Sequence, residues 1–251
     1  MKSIESTQRF TGRADAYNTR PKYPQPAIDY IVNRTRINTE TVIADIGAGT
    51  GMLAEHFVRL KSRVYGVEPN QDMRARAEHR MWTRTNFVSV DGSAEATTLP
   101  AESVDVITVG QALHWFDLER ARVEFRRILR KAGLVVPIWN SRKASSAFGE
   151  ELERLMERHR KEPERDTGKE DNIVNDFFAG REIRKTEFET RQVLSLEELQ
   201  MRVASISVMP LPEEPEYKEL MGKLEELHRR LNVGTTVTIH YSTKVYIGQL
   251  E

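Results

Sequence analysis

The run Val42-Ile43-Ala44-Asp45-Ile46-Gly47-Ala48-Gly49-Thr50-Gly51-Met52-Leu53 decides the fold. Its first five residues are apolar apart from Asp45, as befits a strand covered on both faces. Three glycines at alternate positions then form a turn whose backbone can approach a ligand with no Cβ atoms in the way. Apolar residues resume at Met52 and Leu53, where the pattern predicts the first turn of a helix. Strand, glycine turn and helix in this order open a nucleoside-binding α/β unit. Glu68, ending the next predicted strand, stands where such folds hold a ribose. The loop therefore predicts a nucleoside-containing cofactor.

Outward from this run, helix and strand patterns alternate. Apolar spacing predicts a helix over 26–36, then strands at 42–46, 63–67, 87–90, 104–109 and 134–139. Helices are predicted between them over 51–60, 72–80 and 118–130. Such alternation implies a parallel sheet with right-handed crossovers. Pro137 is out of place in a central strand, because it removes a ladder donor, and it predicts a bulge or a strand end near Trp139. After Asn140 the chain turns charged and weakly periodic, with a surface helix expected over 150–160 and a turn-rich break at 163–168. A strand over 183–193, a helix opened by a Ser195/Glu198 capping box, a helix over 216–231 and a Thr/Val/Tyr-rich strand over 236–247 complete the pattern. We expect one domain spanning 1–251: an arm and helix over 1–36, a cofactor-binding half over 37–140, a helical cap insertion over 141–182, and C-terminal strands and helices over 183–251.

Composition narrows the chemistry. Lys+Arg and Asp+Glu both number 38 in 251 residues, so no net charge draws the molecule toward nucleic acid or an anionic membrane. The chain has no cysteine, which removes disulfides, thiolate metal sites and cysteine nucleophiles together. Residues 1–20 lack the apolar stretch of a signal peptide, and no segment approaches the roughly 18 apolar residues of a membrane span. A cytoplasmic protein is expected, with no membrane partner. The histidines at 56, 79, 114, 159, 228 and 240 are scattered without ligand spacing, so no metal site is expected.

The loop also discriminates among nucleoside cofactors. A dinucleotide loop asks for a small residue at its sixth position, where this chain has Met52. Asp45, two places before the first glycine, would repel a pyrophosphate. No Gly-Lys-Ser/Thr follows, so this is no P-loop. A ligand bearing positive charge suits the loop better, and the methionine portion of S-adenosylmethionine carries both an ammonium and a sulfonium.

The segment from Asp45 to Gly51 resembles the first signature of class I S-adenosylmethionine-dependent methyltransferases. Glu68-Pro69-Asn70, continuing to Met73 and Ala77, is similar to that family's signature after the second strand. Asp91-Gly92-Ser93-Ala94-Glu95 followed by Leu99-Pro100 resembles its adenine-side loop. Gln111-Ala112-Leu113-His114-Trp115-Phe116 looks like the subgroup that includes trans-aconitate methyltransferase, as do the stretch from Phe10 to Tyr17 and Tyr23-Pro24 in the arm. The resemblance spans about residues 10 to 140. It departs at Lys131-Ala132-Gly133, where many relatives have Pro-Gly-Gly.

The resemblance implies a Rossmann-like sheet of seven strands, mostly parallel with an antiparallel last strand and helices on both faces. It implies S-adenosylmethionine as cofactor and S-adenosylhomocysteine as product. The expected cofactor contacts are Asp45, Gly47, Ala48, Gly49 and Gly51 around the methionine and ribose, and Glu68 and Pro69 at the ribose. Met73, Ser93, Ala94 and Glu95 are expected at the adenine and Gln111 beside the sulfonium. Tyr17, Tyr23 and Trp115 are candidates for the lid or acceptor wall, and His114 for a general base. The expected reaction is methyl transfer to a small-molecule acceptor, at oxygen by analogy with the subgroup. A nucleic-acid or protein methyltransferase and a non-catalytic cofactor-binding homologue are the alternatives. Neutral charge and the lack of an Asn/Asp-Pro-Pro-aromatic run after the fourth strand weigh against a nucleic-acid acceptor. Nothing in the sequence specifies the oligomeric state.

Overall fold

The computed structural model describes residues 19–161, 170–231 and 234–250. The chain opens with α1 (Gln25–Thr35), which has Pro26 in its first turn, buries Ala27, Ile28 and Ile31, and is closed by Arg36 at φ 56°. There follow β1 (Val42–Ile46), α2 (Ala54–Arg59), β2 (Arg63–Val67), α3 (Gln71–Arg80), β3 (Phe87–Val90) and β4 (Val104–Gly110). A 3₁₀ turn (Leu113–Trp115) leads to α4 (Leu118–Ile128) and β5 (Leu129–Lys143). Then come α5 (Ala147–His159), α6 (Glu170–Phe178), β6 (Ile183–Ser195), α7 (Leu196–Ala204), α8 (Pro215–Leu231) and β7 (Thr236–Gly248).

The seven strands form one sheet in the order β3-β2-β1-β4-β5-β7-β6. β1 to β5 pair in parallel, and β7 runs antiparallel to both β5 and β6. This is the Rossmann-like sheet expected, with β7 as its reversed strand. The strand order reverses between β1 and β4. In an open α/β sheet the crevice outside the carboxyl ends of two such strands is where ligands bind.

Both faces of the sheet are covered. On one, Ala121, Phe125 and Ile128 of α4 and Val174, Phe177 and Phe178 of α6 pack on Ile46, Ile107 and Val109. On the other, Ile28 and Ile31 of α1, Phe57 and Val58 of α2 and Ala77 of α3 pack on Ile43, Val64 and Val106. A third cluster joins Phe148, Leu152 and Met156 of α5 to Leu199 and Val203 of α7. Leu220, Leu224 and Leu227 of α8 and the first half of β7 complete it. α5 thus shares a core with the C-terminal helices over the end of the sheet.

Three local expectations are corrected. α2 starts at Ala54 rather than 51, because Gly51 at φ 77° is still part of the loop. α4 stops at Ile128 and β5 begins at once, with Leu129 beside Val104 before the register shifts and resumes at Val106 beside Leu134. β5 also runs to Lys143 instead of ending near Trp139. Pro137 pairs with Val109 of β4, while the ladder to β7 passes from Val135–Gly248 to Ile138–Val245 without residues 136 and 137. The register to β7 is the same on both sides of the proline, so the strand continues through it. The polar end of β5 is held by the long β7, with Asn140 beside Thr243 and Arg142 beside Tyr241.

Candidate functional site

β1 delivers its last residue, Ile46, to a loop in which Gly47, Gly49 and Gly51 all have positive φ (70°, 55° and 77°). A side chain at any of the three would be strained. The Gly47 and Ala48 amides donate to the Val67 carbonyl at 2.9 and 3.1 Å, tying the loop to the end of β2. A Cβ at Gly47 would lie 2.7 Å from Ala112 Cβ and 3.3 Å from Phe116 Cζ, and one at Gly51 would overlap Met81 Cε. At Gly49 it would meet nothing within 4 Å. Two glycines are small because protein packs on them; the middle one faces open space.

Two carboxylates belong to this region, Glu68 at the loop and Asp45 in the strand that leads into it. Glu68, just past β2, accepts from the Gly49 amide at 2.9 Å and from the Asn70 amide at 3.0 Å, one on each oxygen. A carboxylate has about four lone-pair sites, so acceptance capacity remains on both oxygens. Burial raises the Glu68 pKa above its ordinary value, against the two amides and Arg74. Asp45 is 1% exposed. Its Oδ1 accepts from Thr108 Oγ at 2.8 Å, and its Oδ2 is buried with no hydrogen-bond partner among the described residues. Burial lifts its pKa to about 7, opposed by the Thr108 hydroxyl and the Ala54 amide and assisted by the negative charge of Glu68. Thr50 Oγ in the same loop is likewise buried without a partner.

The segment after β3 closes one end of the crevice. Ser93 and Ala96 exchange backbone hydrogen bonds at 3.1 and 3.3 Å in a tight turn, and Ala94 is buried. The Glu95 carboxylate accepts from the Asp117 amide at 2.9 Å. Thr97 is anchored from below: its amide and hydroxyl donate to Glu124 Oε1 at 2.8 and 2.6 Å. Arg127 holds both oxygens of that carboxylate at 2.7 Å and reaches the Leu99 carbonyl at 2.7 Å. The Arg127 hydrogen bond, reinforced by Thr97, brings the Glu124 pKa down to about 2. Pro69 is exposed, and Met73, at 2% exposure, donates its amide to the Asn70 side chain that caps α3.

The other end is formed by the turn after β4. Gln111 has φ 58°, a conformation uncommon for a side-chain-bearing residue, and its amide donates to the Ile138 carbonyl at 2.9 Å. His114 and Trp115 sit in the 3₁₀ turn with ring centroids 4.8 Å apart, both partly exposed. Tyr23 of the arm is buried, and a Cβ at Gly110 would lie 2.7 Å from its hydroxyl. The Pro21 carbonyl accepts from Asn140 Nδ2 at 3.0 Å, so residues 21–23 lie beside the end of β4 and the second half of β5. Tyr17 lies outside the described residues.

Asp45, the three glycines, Glu68, Ser93, Ala94, Gln111 and Tyr23 therefore lie along the carboxyl edge of the parallel strands, on either side of the β1/β4 crevice. Glu95 faces the start of α4, and Met73 is a buried residue in α3's first turn. Sequence reasoning missed Thr108 as partner to Asp45, Phe116 against Gly47, and Glu124 beneath Thr97. Alternation along β4 could have signalled Thr108, a polar residue in an otherwise apolar strand. Among the described residues no three His, Asp or Glu side chains group as metal ligands, and no helix is long and apolar enough to cross a membrane.

S-adenosylmethionine fits this donor set. A buried, unpartnered carboxylate oxygen suits an ammonium, a strand-end carboxylate with spare lone pairs suits a ribose diol, and the open face of Gly49 admits a ligand between them. Residues 44–136 match the family model described as a methyltransferase domain. The chain is 28% identical, over 96% of its length and 94% of the relative's, to an uncharacterised methyltransferase-like protein of Schizosaccharomyces pombe. It is 33% identical to an uncharacterised methyltransferase of Mycobacterium tuberculosis, over 59% of each chain. Among solved structures, one described as a type II methyltransferase from Anaeromyxobacter dehalogenans aligns at a TM-score of 0.66 with 19% identity, covering 92% of this chain and 98% of that one. The matched domain and these relatives support an S-adenosylmethionine-dependent methyltransferase, and the solved structure shares its fold.

Proposed function

We propose that the protein methylates a small-molecule acceptor at oxygen, with the cofactor lying in the β1/β4 crevice. The observation that carries this is the Glu68 carboxylate bound to the Gly49 amide beside open space, with buried Asp45 two residues before the first glycine of the loop. When bound, S-adenosylmethionine supplies a methyl group already activated by its sulfonium. The chain's own task is to align donor and acceptor, exclude water and manage charge.

In this assignment Glu68 accepts from the ribose hydroxyls and Asp45 faces the ammonium. Ser93 and Ala94 border the adenine, and Glu124 acts at a distance by holding Thr97 and so the loop. Gln111, fixed by the hydrogen bond from its backbone amide to the Ile138 carbonyl, lines the methyl side. Tyr23 and Trp115 wall the acceptor space and exclude water. His114 accepts the proton from a hydroxyl acceptor; a carboxylate acceptor requires no base. Oxygen as the acceptor atom is supported by the resemblance of residues 111–116 to the trans-aconitate subgroup.

Calorimetric titration with S-adenosylhomocysteine, S-adenosylmethionine and NAD in parallel tests the cofactor. The first two should bind and NAD should not. Tighter binding of NAD, or retention of S-adenosylhomocysteine affinity in Glu68→Ala, would refute the assignment.

A further inference from the structure

Two turns at the amino ends of β2 and β3, away from the crevice, form a surface that the methyl-donor site does not use. Trp82, just after α3, is 81% exposed, more than any other large apolar side chain among the described residues. Leu60, just after α2, is 42% exposed. The turns that carry them are stitched together. Asn86 Nδ2 donates to the Val58 and Ser62 carbonyls at 2.9 and 2.7 Å, and the Asn86 carbonyl accepts from the Val64 amide at 2.9 Å. Between Trp82 and Asn86 the chain turns twice: the Arg84 amide donates to the Met81 carbonyl at 2.8 Å, and the Phe87 amide to the Arg84 carbonyl at 3.3 Å. Val58 and Met81 lie beneath in one core cluster, with Phe87 packed against it. Trp82 and Leu60 therefore stand at the same end of the sheet, on well-anchored backbone.

Charge on these turns has one sign. Residues 56–67 contain Arg59, Lys61 and Arg63, residues 79–90 contain Arg80 and Arg84, and neither stretch has an Asp or Glu. Arg59, Lys61, Arg63 and Arg84 are exposed, and Arg63 lies over the Tyr65 ring, 5.3 Å from its centroid. Neighbouring elements add few acids. Glu55 of α2 is taken by Arg59 and Arg80, and Glu78 is exposed on α3. Glu40, with Arg36, belongs to the loop whose Asn38 carbonyl accepts from Ser62 Oγ at 2.8 Å. The balance at this end of the sheet stays positive, which the neutral total does not prevent.

An occupant of this surface has to be anionic and has to take in an indole and an aliphatic side chain. The interface of an anionic bilayer meets both demands: its headgroups attract Lys and Arg, and the boundary beneath them accepts Trp and Leu. A nucleic-acid strand meets only the first, since it is held on successive aromatic platforms, and here a single exposed indole stands beside an aliphatic chain. We propose that the turns at 59–63 and 82–84 dock the protein on anionic membranes, with Trp82 and Leu60 entering the headgroup layer and Lys61, Arg63 and Arg84 facing the lipid anions. No helix among the described residues is long and apolar enough to cross a membrane, so the contact is peripheral. The expectation of no membrane partner was drawn from total charge, and the distribution of charge overrides it. The five residues of β2 separate this surface from the carboxyl end of the sheet by about 15 Å, so the crevice stays open to water in the docked protein.

The test is co-sedimentation of the full chain with vesicles of phosphatidylcholine alone and of phosphatidylcholine mixed with phosphatidylserine, beside a single-stranded thymidine oligonucleotide. The mixed vesicles should bind, phosphatidylcholine alone should not, and added salt should release the protein. Trp82→Ala should weaken vesicle binding roughly tenfold, and Lys61→Gln with Arg84→Gln by about fivefold for each charge removed. These side chains are on the surface, so the variants should melt with the parent and keep its S-adenosylhomocysteine affinity. Vesicles with brominated acyl chains should quench indole emission in the parent, and Trp82→Phe should lose most of that quenching. Failure of the parent to bind the mixed vesicles, or equal binding by the variants, would overturn the proposal. Binding of the oligonucleotide as tight as that of the vesicles would overturn it in favour of a nucleic-acid surface. Vesicle binding without S-adenosylhomocysteine binding would sink the methyl-donor site and leave the docking surface standing.

Discussion

The Glu68 carboxylate and the Gly49 amide, 2.9 Å apart, join the end of the second strand to the middle of the glycine loop. Glu68 therefore shapes the loop before any ligand arrives, and its spare lone pairs are already oriented. Glu68→Gln keeps the size but places an amide donor against one of two backbone amide donors. S-adenosylhomocysteine affinity should fall roughly ten- to a hundredfold, measured by calorimetry, because a charged hydrogen-bonding group is lost.

The glycines should separate by experiment. Gly49→Ala adds a Cβ into open space, so its folding cost is the left-handed strain alone, about 1–2 kcal/mol, while ligand affinity drops sharply. Gly47→Ala carries the same strain and also drives a Cβ against Ala112 and Phe116. Urea melts should show the larger stability loss at Gly47. Equal losses would mean that the loop relaxes around the added methyl.

Under the proposed assignment, Asp45 should make cofactor binding depend on pH. Its folded pKa of about 7 lies above its ordinary 3.8, so the folded state holds the proton more tightly than the unfolded chain. Its stabilising contribution is complete below about pH 4 and is lost as pH rises through 7. A ligand ammonium favours the ionised form, so S-adenosylmethionine affinity should rise with pH below 7, at most about tenfold per unit, with proton release on binding. Asp45→Asn should remove both the proton release and the loss of ligand-free melting temperature over this range.

Glu124 should matter in the opposite direction of pH. Its pKa of about 2 lies below its ordinary 4.5, so its stabilisation is present above 4.5 and disappears as pH falls toward 2. Glu124→Ala strands the buried Thr97 donors and should cost roughly 1–3 kcal/mol in denaturant unfolding. It should also weaken S-adenosylhomocysteine binding although Glu124 touches no ligand. Unchanged affinity would show that the loop holds its shape without this anchor.

The central sheet and its glycine loop were legible in the sequence because each rests on local pattern: apolar runs at β1 and β4, glycines needing positive φ, and Ser195 with Glu198 as a capping box, which the structure contains. What was not legible depends on partners distant in the chain. Residues 141–143 look like a polar loop, yet they extend β5 because β7 lies beside them. Thr97 and Glu124 are 27 positions apart and reveal their bond only once α4 is packed under the loop. Arg202 reads as one more charge on an amphipathic helix, and only the third core cluster around α7 shows that it is buried.

β6 closes the sheet with thirteen residues, and among the described residues no strand pairs beyond it, while β3 at the opposite edge has four. A long free edge is a template for strand addition and aggregation. Here Arg184, Lys185, Glu187, Glu189 and Arg191 are exposed along it, and Lys185 and Glu189 pair back with Asp171 and Lys143 over the sheet. An incoming strand would have to settle against this charged border. The same ion pairs that tie down the C-terminal strands also make the edge a poor seed for fibrils.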